Sequence, residues 1–286
     1  MTGVTVRAAA KINLQLSVGP PRADGYHDLV TVFQAISLYD EVTVATADGP
    51  GDDRVLVSGE GASSVPAGPG NLALQAATAL AQAAGLSRDP EQHLEITIRK
   101  RIPVAAGLAG GSADAAAALV ACNELWQAGL SSEQLSGIAA GVGSDVAFSL
   151  LGGTAVGQGR GERLSPALTS GEYHWVLAVA DGQLSTPEVF RTLDALRASA
   201  SVPDAAGPGA LDHALMAALR AGDPAAVGRA LRNDLQAPAL SRFPALRKTL
   251  SAGQELGALG AVVAGSGPTC VFLAASAGRA VDLAAA

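Results

Sequence analysis

At 286 residues, the chain is long enough for one large or two ordinary domains, and 49% hydrophobic against 16% charged residues suits a globular protein with a sizeable core. A net charge of -7 argues against a nucleic-acid binder, which needs a basic face, so no nucleic-acid partner is expected. Aromatic residues make up only 3%, so alanine, valine and leucine must fill the core.

Val4 to Val18 alternates β-formers and reads as a strand pair or one bent strand, with Ala8-Ala9-Ala10-Lys11 at the bend. Pro20 to Gly25 is a turn cluster, and Tyr26 and His27 follow it directly. Leu29–Ile36, Asp40–Ala45 and Val55–Val57 read as strands, and 61–70 as a loop. Asn71 to Ala84 is an alanine-rich helix ended by Gly85. Leu94 to Arg101 is a strand closed by Pro103. It feeds a glycine loop, and Ser112 is expected to cap a helix over 113–127. A short helix over 132–140, capped by Ser131 or Ser132, is followed by a segment over 147–151 and a glycine-punctuated hairpin over 152–161.

A domain boundary near this point gives an N-terminal domain over 1–162 and a C-terminal domain over 163–286. In the second, Trp175–Ala180 is a strand and Thr186–Arg197 a helix with Pro187 in its first turn. Ala198–Gly209 is a low-complexity loop, expected to be mobile. Leu211–Ala221, Ala225–Leu231 and Phe243–Ala252 read as helices. Ala261–Ala264 and Thr269–Leu273 are strands joined by Gly265-Ser266-Gly267-Pro268. The stretch 256–278 is uncharged and long enough to span a membrane, but four glycines before Pro268 make it strand, turn, strand, so no membrane partner is expected. The N-terminus carries no signal-peptide core, and Cys122 and Cys270 read as buried thiols, the pattern of a cytoplasmic protein. Four scattered histidines form no Cys/His cluster with metal spacing.

Four stretches could carry chemistry. Gly107, Gly110, Gly111 and Ser112 lead into a helix N-terminus, which offers free N–H groups and a positive dipole end to an anion. The competing reading is a glycine turn that only lets a helix pack close. No Gly-Lys-Ser/Thr follows, so the phosphate-binding lysine of a P-loop is missing. Lys11 is one of only three lysines, the others being Lys100 and Lys248, and it sits in an apolar stretch. It reads either as a snorkelling or ion-paired residue or as a cation beside a phosphate. Asp145 reads either as a helix N-cap or as a carboxylate near Lys11, a pair suited to phosphoryl transfer. Tyr26 and His27 read either as a surface aromatic pair or as a ring that stacks on a base with a histidine at its edge.

Ala10-Lys11-Ile12-Asn13-Leu14, Arg22 to His27, Pro103 to Ala116, Gly143-Ser144-Asp145-Val146, Gly152-Gly153-Thr154-Ala155 and Gly265 to Thr269 occur in one order. Together they resemble the 4-diphosphocytidyl-2-C-methyl-D-erythritol kinase family of the GHMP superfamily. That resemblance implies an α+β, two-domain fold: an N-terminal domain like ribosomal protein S5 domain 2, a C-terminal GHMP domain, and a cleft between them. It implies ATP- and Mg2+-dependent phosphorylation of the 2-hydroxyl of the cytidine diphosphate-linked methylerythritol. By the family pattern, Asp145 is the catalytic base and Lys11 its partner, while Asn13 lies near the substrate phosphates. Tyr26 and Phe190 sandwich the cytosine and His27 reads its edge. Pro103, Gly107, Gly110, Gly111 and Ser112 serve ATP, with Asn71 and Lys100 near the nucleoside and Ser112 as the candidate Mg2+ ligand. Three departures stand out. Ala106 replaces a usual glycine, Ala147 replaces a usual proline, and a C-terminal strand is expected to be missing after 286.

Overall fold

The computed structural model describes residues 3–49, 51–86, 92–199 and 209–286. Two compact units emerge. One comprises Met1–Lys11, Ala35–Val104 and Ala109–Gly152; the other comprises Ile12–Gln34, Ala105–Leu108 and Gly153–Ala286. The units interleave along the chain, because two long strands contribute to both. Strand β1 is Gly3–Pro21 and β2 is His27–Asp48. Of the two readings of Val4–Val18, the single strand is the one observed, and the expected break after Ile36 is absent, since that stretch contains no glycine or proline to stop a strand.

In the first unit, β2 pairs antiparallel with β4 (Gln92–Lys100), Val42 opposite Ile98 and Val44 opposite Ile96. Strand β3 (Arg54–Gly59) adds in parallel to β4. Four helices accompany this sheet: α1 (Leu72–Ala83), α2 (Gly110–Leu125), α3 (Ser132–Val142) and α4 (Ser144–Leu151). Helix α2 buries Ala113, Ala115, Ala116, Ala117, Ala118 and Ala121 and packs against α1, α3 and α4. The small side chains let three neighbours approach one helix. The expected Ser112 cap is corrected. Helix α2 begins at Gly110 with Ala109 as N-cap in the left-handed region (φ 59, ψ 35), so Ser112 is its third residue.

Below α2 lies a buried charge cluster. Lys100 is 3% exposed, Asp40 0% and Asp114 3%. Their placement follows from strand alternation: Leu94, Ile96, Ile98 and Lys100 share the buried face of β4, and Asp40, Val42 and Val44 that of β2. The Lys100 ammonium contacts Asp40 Oδ2 and donates to Asp114 Oδ2 at 2.7 Å. Asp40 Oδ1 accepts from the N–H groups of Arg101 at 2.6 Å and Ile102 at 2.9 Å. Removing one partner of such a buried set costs about 3–5 kcal/mol, because it strands a charge away from water.

The second unit takes up β1 from Ile12 and β2 up to Gln34. Strand β5 (Thr154–Gly159) pairs antiparallel with β2, Val32 opposite Val156, and β6 (Arg163–Pro166) completes a hairpin. The two-residue β8 (Arg232–Asn233) lies parallel to β1. A separate antiparallel sheet runs β7 (His174–Ala178), β10 (Cys270–Ala274), β9 (Gly260–Val263). Six helices follow: α5 (Thr186–Ser199), α6 (His213–Ala221), α7 (Pro224–Ala230), α8 (Gln236–Arg242), α9 (Ala245–Glu255) and α10 (Ala277–Ala285). Leu16, Val18, Val189, Leu193, Leu235, Leu246 and Phe272 centre one core cluster. Of the expected loop at Ala198–Gly209, Ala198 and Ser199 close α5, and 200–208 lie outside the described residues. Helix α8 has no counterpart among the helices read from the sequence, although Pro238 does not prevent it. The proline falls in the first turn, where a missing N–H breaks no helical hydrogen bond. The 256–278 stretch is strand, turn, strand, and no described helix is long and apolar enough to cross a membrane.

The charge cluster sets a pH dependence. Burial pushes the Asp114 carboxyl up to about 7, opposed by Lys100 and reinforced by Asp40. A raised native value means that the folded protein holds a proton the unfolded chain has released. This stabilisation is complete below the ordinary value of 3.8 and is lost as pH rises through about 7. We expect urea unfolding to show lower stability at about pH 8.5 than at about pH 5.5, and Asp114→Asn to shrink that difference. An undiminished pH difference in the variant would refute this assignment.

Candidate active site

Within the first unit, Lys11 and Asp145 meet. Lys11 Nζ lies 3.4 Å from Asp145 Oδ2, with the lysine side chain 7% and the aspartate side chain 33% exposed. Asp145 is not the N-cap of α4. That position is Gly143, in extended backbone (φ -179) with no side-chain cap. Asp145 is the second helical residue, where the helix dipole favours a carboxylate. Ala147 is buried within α4, so the helix forms without a proline there. The chemical content of the Lys11–Asp145 pair is a fixed cation beside a carboxylate that solvent can reach.

Helix α2 supplies a second feature of the same unit. By helix geometry, the N–H groups of Gly110, Gly111 and Ser112 lack intrahelical acceptors. Helices α1 and α3 close their own N-termini: Asn71 accepts from the Ala73 N–H, and Ser131 forms a capping box with Gln134. The Ala109 cap of α2 has no side-chain acceptor, and the first turn carries no acidic residue. Gly111 is exposed, and a methyl there would meet only Leu72 Cδ1 at 3.7 Å. The loop before it is strained, with Ala105 (φ 55) and Ala109 (φ 59) both in a region that disfavours any side chain. Ala106 is buried and has no positive φ, so its methyl is accommodated.

Lys100 and Asn71, which the family pattern sets near the nucleoside, both have their polar ends engaged within the protein. The Lys100 ammonium is buried between Asp40 and Asp114. Asn71, 4% exposed, engages both ends of its amide in α1 capping and in donation to Pro66 O at 2.7 Å. Pro103 is buried and lies beyond the end of β4, which stops at Lys100. The alternation of apolar residues along β2 and β4 is the signal that places Lys100 in the interior.

In the second unit, Gly107 (φ 78) lies so close to the Ala264 carbonyl that any side chain would clash, so this glycine has a packing reason of its own. Asn13, 2% exposed, donates from Nδ2 to Thr31 Oγ1 at 2.8 Å, and Thr31 donates to the Gln15 carbonyl at 2.7 Å. His27 is 8% exposed, with Nε2 3.0 Å from Asp194 Oδ1. The Phe190 ring lies 4.9 Å from that of His27, tilted by 34°. Tyr26 is 54% exposed, and the Arg160 guanidinium lies over its ring. Asp194 and Arg160 escape sequence reasoning because each reaches its partner across elements far apart in the chain, and Thr31 because its contact with Asn13 depends on how β1 and β2 are packed.

The GHMP kinases N terminal domain family matches residues 71–153 and the GHMP kinases C terminal family matches 215–286. A 4-diphosphocytidyl-2-C-methyl-D-erythritol kinase of Thermobifida fusca (strain YX) is 54% identical, over 100% of this chain and 91% of that protein. The chain belongs to the 4-diphosphocytidyl-2-C-methyl-D-erythritol kinase family. A crystal structure of a 4-(cytidine 5'-diphospho)-2C-methyl-D-erythritol kinase matches with a TM-score of 0.77 at 34% identity, covering 99% of this chain and 94% of that one. A homoserine kinase from Cytophaga hutchinsonii shares the fold alone, at 19% identity and a TM-score of 0.74, covering 99% and 88% of the two chains. The two-domain GHMP kinase fold implied by the sequence motifs is thus the fold of this chain, and its family is one of ATP-dependent phosphotransferases in the non-mevalonate isoprenoid route.

Proposed function

We propose that the chain transfers the γ-phosphoryl group of ATP to the 2-hydroxyl of 4-diphosphocytidyl-2-C-methyl-D-erythritol. The Lys11–Asp145 pair, at 3.4 Å, is the observation that carries this reading. Asp145 accepts the hydroxyl proton as the oxygen attacks phosphorus. The bond from the γ-phosphorus to its bridging oxygen breaks, and ADP leaves with that bonding pair. Lys11 offsets the charge gathering on the attacking oxygen and the moving phosphoryl group.

The N–H groups of Gly110, Gly111 and Ser112 take the ATP phosphates, on a helix end with no cap or carboxylate of its own to compete. Gly107 and Pro103 shape the loop in front of it. Asn13 serves the substrate phosphates, while Tyr26, His27 and Phe190 serve the cytosine. Mg2+ fits this donor set. The described residues contain no cluster of three or more His, Cys, Asp or Glu side chains that could hold a metal, and the ion commonly binds through phosphates with one or two protein oxygens. Ser112 is the residue that would hold it, and the ion would offset phosphate charge. The modules 1–162 and 163–286 remain our proposed family division, and the cytoplasm the proposed location.

The test is ADP release from ATP in the presence of the cytidyl substrate, homoserine or mevalonate. We expect ADP only with the cytidyl substrate; none with it, or an equal rate with homoserine, would contradict the reading. Tyr26→Ala should raise the KM for that substrate by roughly tenfold, the scale of one base–aromatic stack, and lower kcat far less. A large fall in kcat at unchanged KM would count against the stacking role.

A further inference from the structure

Arg160 stands at the turn between β5 and β6, with its guanidinium carbon 5.0 Å from the centroid of the Tyr26 ring. Two features of the second unit bring it there. The β2–β5 register sets Leu29 opposite Gly159, so the chain just before β2 and the chain just after β5 continue side by side. The turn itself is held in shape. Gly159 (φ 71) and Gly161 (φ 102) take left-handed conformations, the Arg160 N–H donates to Glu162 Oε2 at 2.6 Å, and the Gly161 N–H donates to the Gln158 carbonyl at 3.1 Å. A side chain on Gly159 would run into the Glu162 carboxylate. The hairpin thus holds the arginine backbone firmly beside the Asp24-Gly25-Tyr26 turn. That turn is fixed by its own bonds, from the Arg22 N–H to the Tyr26 carbonyl at 2.7 Å and from the Tyr26 N–H to Asp24 Oδ1 at 3.1 Å.

Tyr26 nevertheless remains 54% exposed, whereas its neighbour His27 is 8% exposed. A ring with a cation over one face and much of its surface open presents its other face to a planar group. A cation over a ring is attracted more strongly once water is excluded from the pair. A base laid on the open face excludes that water, so the Arg160–Tyr26 attraction strengthens on binding and adds to affinity. A flexible exposed tyrosine must also give up side-chain freedom on binding, and a ring held beforehand by a guanidinium gives up less.

We propose that Arg160 is a positioning residue for the cytidine end of the substrate, acting through Tyr26. This rests on the proposed function, under which Tyr26 stacks on the cytosine. The measurement is a double-mutant cycle of Arg160→Ala and Tyr26→Leu on steady-state kinetics, with Arg160→Lys as the conservative variant. Arg160→Ala should raise the KM for the cytidyl substrate by about fivefold, or about 1 kcal/mol at 1.4 kcal/mol per tenfold, and leave kcat and the KM for ATP within about twofold. Arg160→Lys, which keeps the charge without the planar group, should fall between Arg160→Ala and the wild type. In the Tyr26→Leu background, Arg160→Ala should have no further effect.

An unchanged KM, a loss confined to kcat, or a full fivefold effect surviving in the Tyr26→Leu background would overturn the proposal. A merely structural role would lower the melting temperature without moving the KM, and that outcome would overturn it too. A wild-type protein that releases no ADP with the cytidyl substrate would instead contradict the functional reading, before any variant is compared.

Discussion

A single buried ammonium, that of Lys100, ties together the three pieces of chain from which helix α2 departs. It bonds Asp40 near the middle of β2 and Asp114 in α2, while Asp40 also holds the N–H groups of Arg101 and Ile102 at the start of the loop. A buried charge must be paired, and each partner here comes from a different element. The position and direction of the α2 N-terminus therefore follow from electrostatics that cannot relax without exposing a charge. Gly110 belongs to the same constraint: a methyl on it would sit 3.0 Å from the lysine nitrogen. Lys100, which the family pattern sets near the nucleoside, is thus paired with β2 and with α2 itself.

That anchoring explains how the loop tolerates strain. Alanines at 105 and 109 in left-handed backbone cost about 1–2 kcal/mol each, and they persist because both ends of the loop are held. One end continues from the charge cluster, and Gly107 lies against the Ala264 carbonyl. The consequence is a helix whose first residues are two glycines and a serine, with no cap of their own. The two other helices of that unit with polar caps close themselves off. Lys11, a cation carried by β1, lies beside Asp145 in the same unit.

Much of this is legible in the residues. Alternation of apolar residues marks most strands, and alanine-rich stretches mark the helices. Lys11 stands out as a rare lysine in an apolar stretch, and Asp145 as a carboxylate behind a Gly-Ser turn; the two do meet. The departures have physical causes. Ser112 looks like a cap because serine favours that position, but two preceding glycines let the helix start earlier. Lys100 and Asp40 share parity with buried isoleucines and valines, so their burial can be read from period two alone. The meeting of Arg160 with Tyr26, and of His27 with Asp194, cannot, since strand register and helix packing bring together residues far apart in the chain.

The central claim is that Asp145 acts in the chemical step and not in binding ATP, which falls to the start of α2. Its most direct test compares Asp145→Asn with the wild type in two measurements on the same preparation: ATP affinity by calorimetry, and turnover with the cytidyl substrate. The account predicts an ATP Kd within about threefold of wild type and a kcat lower by roughly 100- to 10,000-fold, the range of a lost general base. A variant that turns over at near the wild-type rate would contradict it.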